Sequence, residues 1–411
     1  MSQQIPDGFR FAGVSCGVKA SSKLDLALIA TYQDAVAAGV YTTNIIHASS
    51  IDWNRDITPT DQFRGLVINS GNANACTGSE GEANNRKMAE LTSHQLGAQP
   101  NQVCVFSTGI IGQQLPMQKI EPGITSVVAQ LGDSQDHFSA AAEAILTTDI
   151  GTKTASRIFK VGDQEVTVVG MAKGAGMIGP KMATMLAVVM TDAAISPSSA
   201  RTIIQQAADV SFNRVSVEGH MSTNDGLILI ASGKSSAKLD SGEALSSLAG
   251  AVEATCVELA RQIPADGEGA THLIEINISG ARSDADADKI ARAIASSNLV
   301  KTAITGNDPN WGRIVSAAGY CGADFEMNEV GLKLNGQTVF EQGQPVDFCE
   351  KTVSQMLKDS FESLIELSVG KGPGNARHWT SDLTTAYVEF NSEYTSSVSY
   401  THLTLPTNRE V

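Results

Sequence analysis

The sequence has few aromatic residues, few prolines and no excess of positive charge, and each shortage excludes a class of protein. Aromatic residues make up 5% of the 411 residues, and 12 prolines stand against 37 glycines, so the chain is neither a Pro-rich linker nor collagen-like. With 29 Lys and Arg against 44 Asp and Glu, the net charge of −15 disfavours non-specific binding to nucleic acid or anionic membranes. A hydrophobic content of 42% predicts a globular protein with a large buried core.

Cysteine pairs, metal-binding motifs and long apolar runs are also missing. The six cysteines are scattered without a CxxC pair, which predicts buried thiols in a reducing compartment. The seven histidines form no HExxH pattern, so we expect no metal site. No apolar run approaches the ~18 residues of a membrane span, and the N-terminus lacks the pattern of a secretory signal. We therefore expect a cytoplasmic protein that binds neither membrane nor nucleic acid.

Hydrophobic periodicity indicates strands and helices in a mixed order, without internal repeats. The predicted strands are residues 65–69, 103–106, 165–169, 185–190 and 273–278. The predicted helices are residues 80–96, 134–146, 196–208, 243–262 and 284–295. Residues 324–340 read as a hairpin that turns at Leu334-Asn335-Gly336-Gln337. The pattern predicts an α+β fold in which helices cover the sheets.

Two glycine motifs resemble phosphate-binding loops, and neither has the required context. Residues 174–179 fit GxGxxG, but a dinucleotide-binding loop must open a helix, whereas Pro180 and a β-rich run follow here. Gly233-Lys234-Ser235 resembles the end of a P-loop, but six residues instead of four separate it from Gly226. A nicotinamide-dependent dehydrogenase is therefore an alternative that the sequence disfavours.

The same glycine-rich segment precedes Ala183-Thr184, where a different chemistry is available. The Thr184 hydroxyl is able to attack the preceding carbonyl in an N→O acyl shift, and hydrolysis of the ester would leave an N-terminal threonine. Such a residue carries its own base, because an α-amine has a pKa of about 7.7–8. Taken alone, however, the pattern is more typical of a glycine loop before a core strand.

Several sequence blocks together resemble one family. Residues 173–186 (KGAGMIGPKMATML) closely resemble the cleavage segment of the ornithine acetyltransferases, also called bifunctional glutamate N-acetyltransferases. Further blocks follow in family order and extend the resemblance from about residue 10 to residue 396: 38–44 (AGVYTTN), 69–78 (NSGNANACTG), 107–112 (STGIIG), 265–271 (ADGEGAT) and 307–314 (NDPNWGRI). A set of this kind is far more specific than any single motif.

The resemblance implies roles for individual residues. Thr184 matches the nucleophile, and the Ala183–Thr184 bond matches the cleavage site. Thr108 and Gly109 match the pair that stabilises the oxyanion of acyl transfer. The positions that match substrate contacts are Thr147, Lys173, Thr184, Glu268, Asn391 and Ser396. We expect Lys173 to hold a substrate carboxylate and Glu268 a substrate ammonium group.

It also implies an architecture and a reaction. The fold would be a layered α/β sandwich of the ornithine-acetyltransferase type, with residues 1–183 as the α chain and 184–396 as the core of the β chain, assembled as an α2β2 heterotetramer. Thr184 would take the acetyl group from N-acetylornithine and pass it to glutamate in a ping-pong mechanism that needs no cofactor. Acetyl-CoA as a second acetyl donor stays open. The alternatives are an N-terminal-nucleophile aminopeptidase or amidase, in which water is the acceptor, and a non-enzymatic binding protein.

Two departures from the family pattern concern the candidate site. Ser396 stands where the family usually has Thr. In residues 217–225 (VEGHMSTND), His220 and Met221 replace an Asp and a Thr of many relatives, while the STND core at 222–225 is intact. Residues 397–411 are polar, lack apolar periodicity and resemble translated adapter sequence, so we expect a foreign or disordered tail.

Overall fold

A computed structural model describes residues 4–179, 185–237, 239 and 242–392. The strands of this part of the chain are β1 (Phe9–Val14), β2 (Leu26–Tyr41), β3 (Thr60–Asn72), β4 (Val103–Ile110), β5 (Lys153–Val161), β6 (Gln164–Lys173), β7 (Leu186–Thr191), β8 (Val215–Ser216), β9 (Gly226–Ala231), β10 (Leu273–Ala281), β11 (Gly331–Leu334), β12 (Gln337–Glu341), β13 (Gln344–Pro345), β14 (Glu362–Ser368) and β15 (Gly374–Ser381). The helices are α1 (Ser49–Ile57), α2 (Gly78–Leu96), α3 (Met117–Ala129), α4 (Gln135–Ala144), α5 (Pro197–Val210), α6 (Gly242–Ala265), α7 (Asp284–Ala295), α8 (Asn298–Thr305), α9 (Trp311–Gly319), α10 (Glu350–Asp359) and α11 (Thr385–Ser392).

Within the described ranges the strands form two mixed sheets. The first sheet has the order β4-β3-β2-β9-β7-β6-β5, and β1 pairs with the first half of the long strand β2. The second has the order β13-β12-β11-β14-β10-β15-β8. Both contain parallel and antiparallel pairs, for example β3–β4 (parallel) and β2–β3 (antiparallel) in the first sheet. The layered α+β fold class expected from the sequence is confirmed.

The first sheet is covered on both faces. Successive side chains of a strand point to opposite faces, so a strand between two helix layers is apolar at every position. In β9, Leu227 and Leu229 join the core beneath α5 and α6, while Ile228 and Ile230 join the core that contains Phe138 of α4. The centre of the first sheet is therefore enclosed on both faces.

The second sheet shows the alternation of a half-covered surface. In β10, Ile274, Ile276 and Ile278 are buried in a core with α7, whereas the intervening Glu275 and Asn277 are partly exposed. Helix α7 begins where the Ser283 hydroxyl accepts a hydrogen bond from the amide three residues on, which satisfies one of the free N–H groups of its first turn. The alternation of apolar and polar residues in LIEINI thus matches the alternation of buried and partly exposed side chains in β10.

Most predicted elements are present with shifted ends. The predicted hairpin is formed by β11 and β12, and Asn335 and Gly336 both take positive φ angles (46° and 82°) in its two-residue turn. The hairpin is shorter than predicted, because Met327–Glu329 form a 3-10 turn instead of strand. All six cysteines are free thiols, but the expectation that they are buried is wrong for Cys76 and Cys349, which are exposed. No helix among the described residues is both long and apolar enough to cross a bilayer.

The predicted cleavage site lies between two neighbouring strands of one sheet. Strands β6 and β7 pair antiparallel, with Lys173 opposite Leu186, and the connection between them contains Ala183 and Thr184. Those two residues, Ser396 and the tail at 397–411 lie outside the described residues. A chain divided at residue 183 would therefore still contribute hydrogen-bonded strands from both halves to the first sheet. The division into α and β chains stays a prediction.

Candidate active site

The predicted oxyanion pair lies at the carboxyl end of β4. Thr108 is 5% exposed, and Gly109 lies beside Gly71 of the parallel strand β3. Gly109 has a φ of 137°, and a Cβ added there would come within 2.2 Å of the Gly71 carbonyl carbon. Glycine is required because the two strands approach so closely at this end. The strand end thereby presents a backbone amide and a hydroxyl residue at adjacent positions.

A buried carboxylate organises the loop that carries Thr147. The side chain of Asp149 is 0% exposed, and one of its oxygens accepts from the Lys153 ammonium (2.7 Å) and the Gly174 amide (2.6 Å). Its other oxygen accepts from the Thr147 amide (3.0 Å). Burial alone would raise the pKa of Asp149, but the ammonium groups of Lys173 and Lys153 hold it below its ordinary value. Asp149 therefore ties the Thr147 loop to the segment that begins at Gly174.

Lys173 is the last residue of β6 and is almost fully enclosed. Its exposure is 3%, and burial lowers the pKa of its ammonium group. The carboxylates of Asp149, Glu268 and Asp225 oppose that shift electrostatically. A cation this enclosed has lost most of its hydration, so an anionic substrate group that reaches it would form a strong charge-assisted hydrogen bond.

Glu268 and Asn391 meet over the glycine-rich segment. The Glu268 amide donates to the Ala175 carbonyl (2.9 Å), and a Cβ on Gly176 would lie 2.4 Å from the Glu268 carboxylate. Asn391, in α11, donates through Nδ2 to Glu268 Oε2 (3.0 Å). The absence of a side chain at Gly176 is therefore what lets the carboxylate cover the segment that leads to Thr184.

A cavity of about 710 Å³ opens beside Gly109 and Thr147. Its lining includes Gly109 and Thr147, together with Lys19 and Phe390, the neighbour of Asn391. Asp149 accepts from the Thr147 amide and Glu268 accepts from Asn391, and both carboxylates interact electrostatically with Lys173. The structure thus brings together all the predicted site residues that it describes: Thr108, Gly109, Thr147, Lys173, Glu268 and Asn391. Their individual roles stay predictions.

The dinucleotide alternative fails on the geometry of its loop. The segment that follows Lys173 is not helical as far as Gly179, and the next described element is the strand β7. Without a helix N-terminus the glycine segment has no aligned amides to receive a pyrophosphate.

Sequence reasoning left the STND core at 222–225 without a role, and the structure gives it one. Asn224 Nδ2 donates to the carbonyls of Ala73 (2.6 Å) and Ser107 (2.8 Å), so it joins the ends of β3 and β4. Asp225 Oδ1 accepts from the Met185 amide (2.9 Å). The loop therefore links β4, which carries the predicted oxyanion pair, to Met185, the residue that follows Thr184. The sequence signal for this loop is the polar run directly before the apolar strand 226–231, but that signal alone does not indicate a role.

Comparison with known proteins identifies the family of the chain. The profile of the ArgJ family matches residues 10–396. The arginine biosynthesis bifunctional protein ArgJ of Rhodopirellula baltica is 48% identical over 398 residues, covering 96% of this chain and 97% of the relative. That of Gloeobacter violaceus is 44% identical, covering 95% and 96%. A solved structure of the ornithine acetyltransferase of Mycobacterium tuberculosis complexed with ornithine is 38% identical, with a TM-score of 0.38 over 43% of this chain and 92% of that one. The chain belongs to the ArgJ family.

Proposed function

We propose that this protein is an acetyltransferase of arginine biosynthesis, which moves the acetyl group of N-acetylornithine to glutamate. The observation that carries the proposal is the convergence of Lys173 and Glu268 on the segment that leads to Thr184. Donor and acceptor are both amino acids, and each offers charged groups for which a buried cation and a carboxylate are suited. Family membership and the curated relatives' description as arginine biosynthesis proteins support the same pathway.

The reaction proceeds through an acetyl-threonine. The α-amine of Thr184 takes the proton of its own hydroxyl, and the Thr184 Oγ attacks the acetyl carbonyl of N-acetylornithine. The oxyanion is stabilised by the Gly109 amide and the Thr108 hydroxyl. The C–N bond breaks, and ornithine leaves with the proton on its amine. The amine of glutamate then attacks the acetyl ester, and the ester C–O bond breaks. A proton from that amine returns to Thr184 Oγ, and N-acetylglutamate leaves.

Maturation precedes this chemistry. Cleavage of the Ala183–Thr184 bond would produce the amine that the mechanism uses, and the pairing of β6 with β7 would keep both halves in one sheet. We infer an α2β2 heterotetramer in the cytoplasm, where the six free thiols are compatible with a reducing environment. Native mass spectrometry tests the stoichiometry directly.

Neither a metal nor an organic cofactor is needed, since the acetyl group passes between two amino acids. Acetyl-CoA is proposed as a second donor, because three lysines, Lys19, Lys23 and Lys119, line the same cavity as Gly109. Ammonium groups of this kind suit a diphosphate. Release of free CoA in the presence of glutamate and acetyl-CoA tests the second activity, and its absence would leave only the ornithine cycle.

The decisive experiment combines intact mass with an acceptor requirement. We expect the purified protein to show two fragments that meet at residues 183 and 184, and Thr184→Ala to remain a single chain. Thr184→Ser, which keeps a hydroxyl, is the matched control and should still cleave. Ornithine release should depend on glutamate. Rapid ornithine release without glutamate would support the amidase alternative, and cleavage of the Ala variant at the same bond would contradict the nucleophile assignment.

A further inference from the structure

Asp225 is placed against the residue that follows the predicted nucleophile. It directly precedes β9, and the parallel register of β7 and β9 sets Leu186 opposite Gly226. The Met185 amide donates to Asp225 Oδ1 (2.9 Å), while the Gly226 amide donates to the Met185 carbonyl (3.1 Å). The peptide groups on both sides of Met185 are thereby held, and only three covalent bonds separate the Met185 amide nitrogen from the α-nitrogen of Thr184.

The second carboxylate oxygen of Asp225 has no hydrogen-bond donor within the part of the chain that the structure describes. Asp225 is 1% exposed, and no donor among the described residues reaches its Oδ2 with hydrogen-bond geometry. Burial raises the pKa of Asp225 well above its ordinary range. The Met185 amide, the Lys173 ammonium group and the hydroxyl and amide of Ser222 favour the ionised form, but together more weakly than burial opposes it. A buried carboxylate without a counter-ion is costly, so the missing partner requires an explanation.

Asp149 is a second buried carboxylate near Lys173, and both of its oxygens have hydrogen-bond partners. It is buried to a similar degree and also interacts with Lys173, yet it accepts from an ammonium group and from two amides. Its pKa is held below the ordinary value, whereas that of Asp225 is raised. Burial is common to both residues, so the difference is the direct cationic partner that Asp225 lacks.

Cleavage would create such a partner. Hydrolysis of the Ala183–Thr184 amide consumes one water and yields a carboxylate on Ala183 and an ammonium group on Thr184. We propose that Asp225 is the positioning residue for this new amine, with Oδ1 on the Met185 amide and Oδ2 receiving the Thr184 nitrogen. The inference rests on the proposed autocleavage. It explains why the carboxylate is left half-satisfied before cleavage and why the STND loop lies beside β7.

The role predicts opposite effects of one substitution in the two states of the chain. Asp225→Asn keeps the shape and the acceptor for Met185 but removes the charge. In an uncleaved Thr184→Ala chain it should leave the melting temperature unchanged or raise it, because a buried charge without a counter-ion disappears. In the cleaved enzyme it should lower the melting temperature, because the ammonium group loses its partner.

Activity supplies a second readout that a merely structural residue would not move. Without the carboxylate the pKa of the Thr184 amine should fall, so the acid limb of kcat/KM should shift to lower pH by about 1 unit. We expect kcat to fall about tenfold or more and KM for glutamate to change little, because Asp225 is not among the residues that match substrate contacts. Should Asp225→Asn remain uncleaved, residues 1–183 and 184–411 are co-expressed, with the initiator methionine removed from the second chain, and measured in the same way.

Asp192 provides the matched control. It is a buried carboxylate just beyond the other end of β7, accepts from the Thr167 amide (3.0 Å), and also has a pKa raised by burial. Asp192→Asn should change the melting temperature equally in the cleaved and uncleaved backgrounds. An equal effect of Asp225→Asn in both backgrounds, or an unshifted acid limb, would overturn the inference while leaving the proposed function intact. A wild-type chain that never cleaves would instead contradict the proposed maturation, and the role of Asp225 with it.

Discussion

The two sheets of the molecule differ in how they handle buried charge. Beside the second sheet, the Asp288 and Asp382 carboxylates are paired: His378 Nε2 lies 2.7 Å from Asp288 Oδ1, and Asp382 accepts from the amides of Thr271 (2.8 Å) and His272 (3.1 Å). At the end of the first sheet, the carboxylates of Asp149, Glu268 and Asp225 all act on the buried ammonium group of Lys173. Two buried carboxylate oxygens at the candidate site, Asp225 Oδ2 and Glu218 Oε2, have no hydrogen-bond partner among the described residues.

We interpret this difference as a division between charged residues that stabilise the fold and charged residues that act in the reaction. Paired buried charges hold a fold together without remaining reactive, whereas incompletely paired ones are found where a substrate or a new chain end supplies the missing group. The cavity, the glycine-rich segment and the strand end at Gly109 all lie at the end of the first sheet. The second sheet, with its aliphatic core, is expected to act as support.

The largest effect should follow from Thr108→Ala, at the end of the first sheet. Loss of one oxyanion donor lowers turnover by about 10²–10³-fold. The loss should fall on kcat and not on substrate binding, because the charge develops only in the transition state. The measurement is steady-state kinetics on enzyme whose cleavage has been verified by mass. Thr108→Ser should recover most of the rate, and unchanged turnover in the Ala variant would show that Thr108 is misassigned.

Glu218 follows β8 and interacts electrostatically with Glu268 of the candidate site, and it offers a pH-dependent test. Burial raises the pKa of Glu218 to about 7, and its Oε2 is buried without a partner among the described residues. Because the folded-state pKa lies above the unfolded value, ionisation destabilises the fold as pH rises between about 4.5 and 7, and the full cost remains above that range. Glu218→Gln should therefore stabilise the protein by about 1–3 kcal/mol at pH 8 and by almost nothing at pH 4.

Chemical denaturation at both pH values measures the effect of Glu218→Gln. Equal stabilisation at pH 4 and pH 8 would mean that packing, and not ionisation, is responsible. A loss of stability at pH 8 would mean that the Glu218 carboxylate has a counter-ion.

A substitution in the core of the second sheet should have the opposite pattern of effects: it should lower stability and leave activity unchanged. Ile276 is fully buried in the aliphatic core beneath α7, and Ile276→Val removes one methylene group. We expect a loss of about 0.5–1.5 kcal/mol in the free energy of unfolding, with kcat unchanged in the folded enzyme. Denaturant unfolding and kinetics on the same preparation separate the two quantities. A fall in kcat would show that the second sheet is coupled to the site and does not merely support it.

The smallest effect is expected from removal of residues 397–411. A segment without apolar periodicity contributes little burial, so folding and cleavage should be preserved and KM for N-acetylornithine should stay the same or decrease. A thermal melt and KM on full-length and truncated protein, prepared side by side, provide the test. A melting temperature several degrees lower after truncation would identify the tail as a packed element.

The sequence by itself determined the fold class, most strands and helices, and the family. Alternation in LIEINI and the Asn335-Gly336 turn are local signals, because side-chain period and turn conformation depend on neighbouring residues alone. The block around Thr184 identified the candidate chemistry only through resemblance, since a glycine loop before a strand has a simpler local explanation.

Tertiary structure decided the surroundings of the site. Asp149 interacts with Lys173 across 24 positions of sequence, and Asp225 reaches the Met185 amide across 40. Neither contact has a local signature, because it depends on which strands become neighbours. The same is true of the state of each charge: Asp149 and Asp225 are identical side chains with similar burial, and their pKa values move in opposite directions. Only the fold decides which groups surround each carboxylate. Asp149 accepts from the Gly174 amide, 25 positions away, as well as from the nearby Lys153 ammonium group, whereas Asp225 accepts from the distant Met185 amide and has no direct ammonium partner among the described residues.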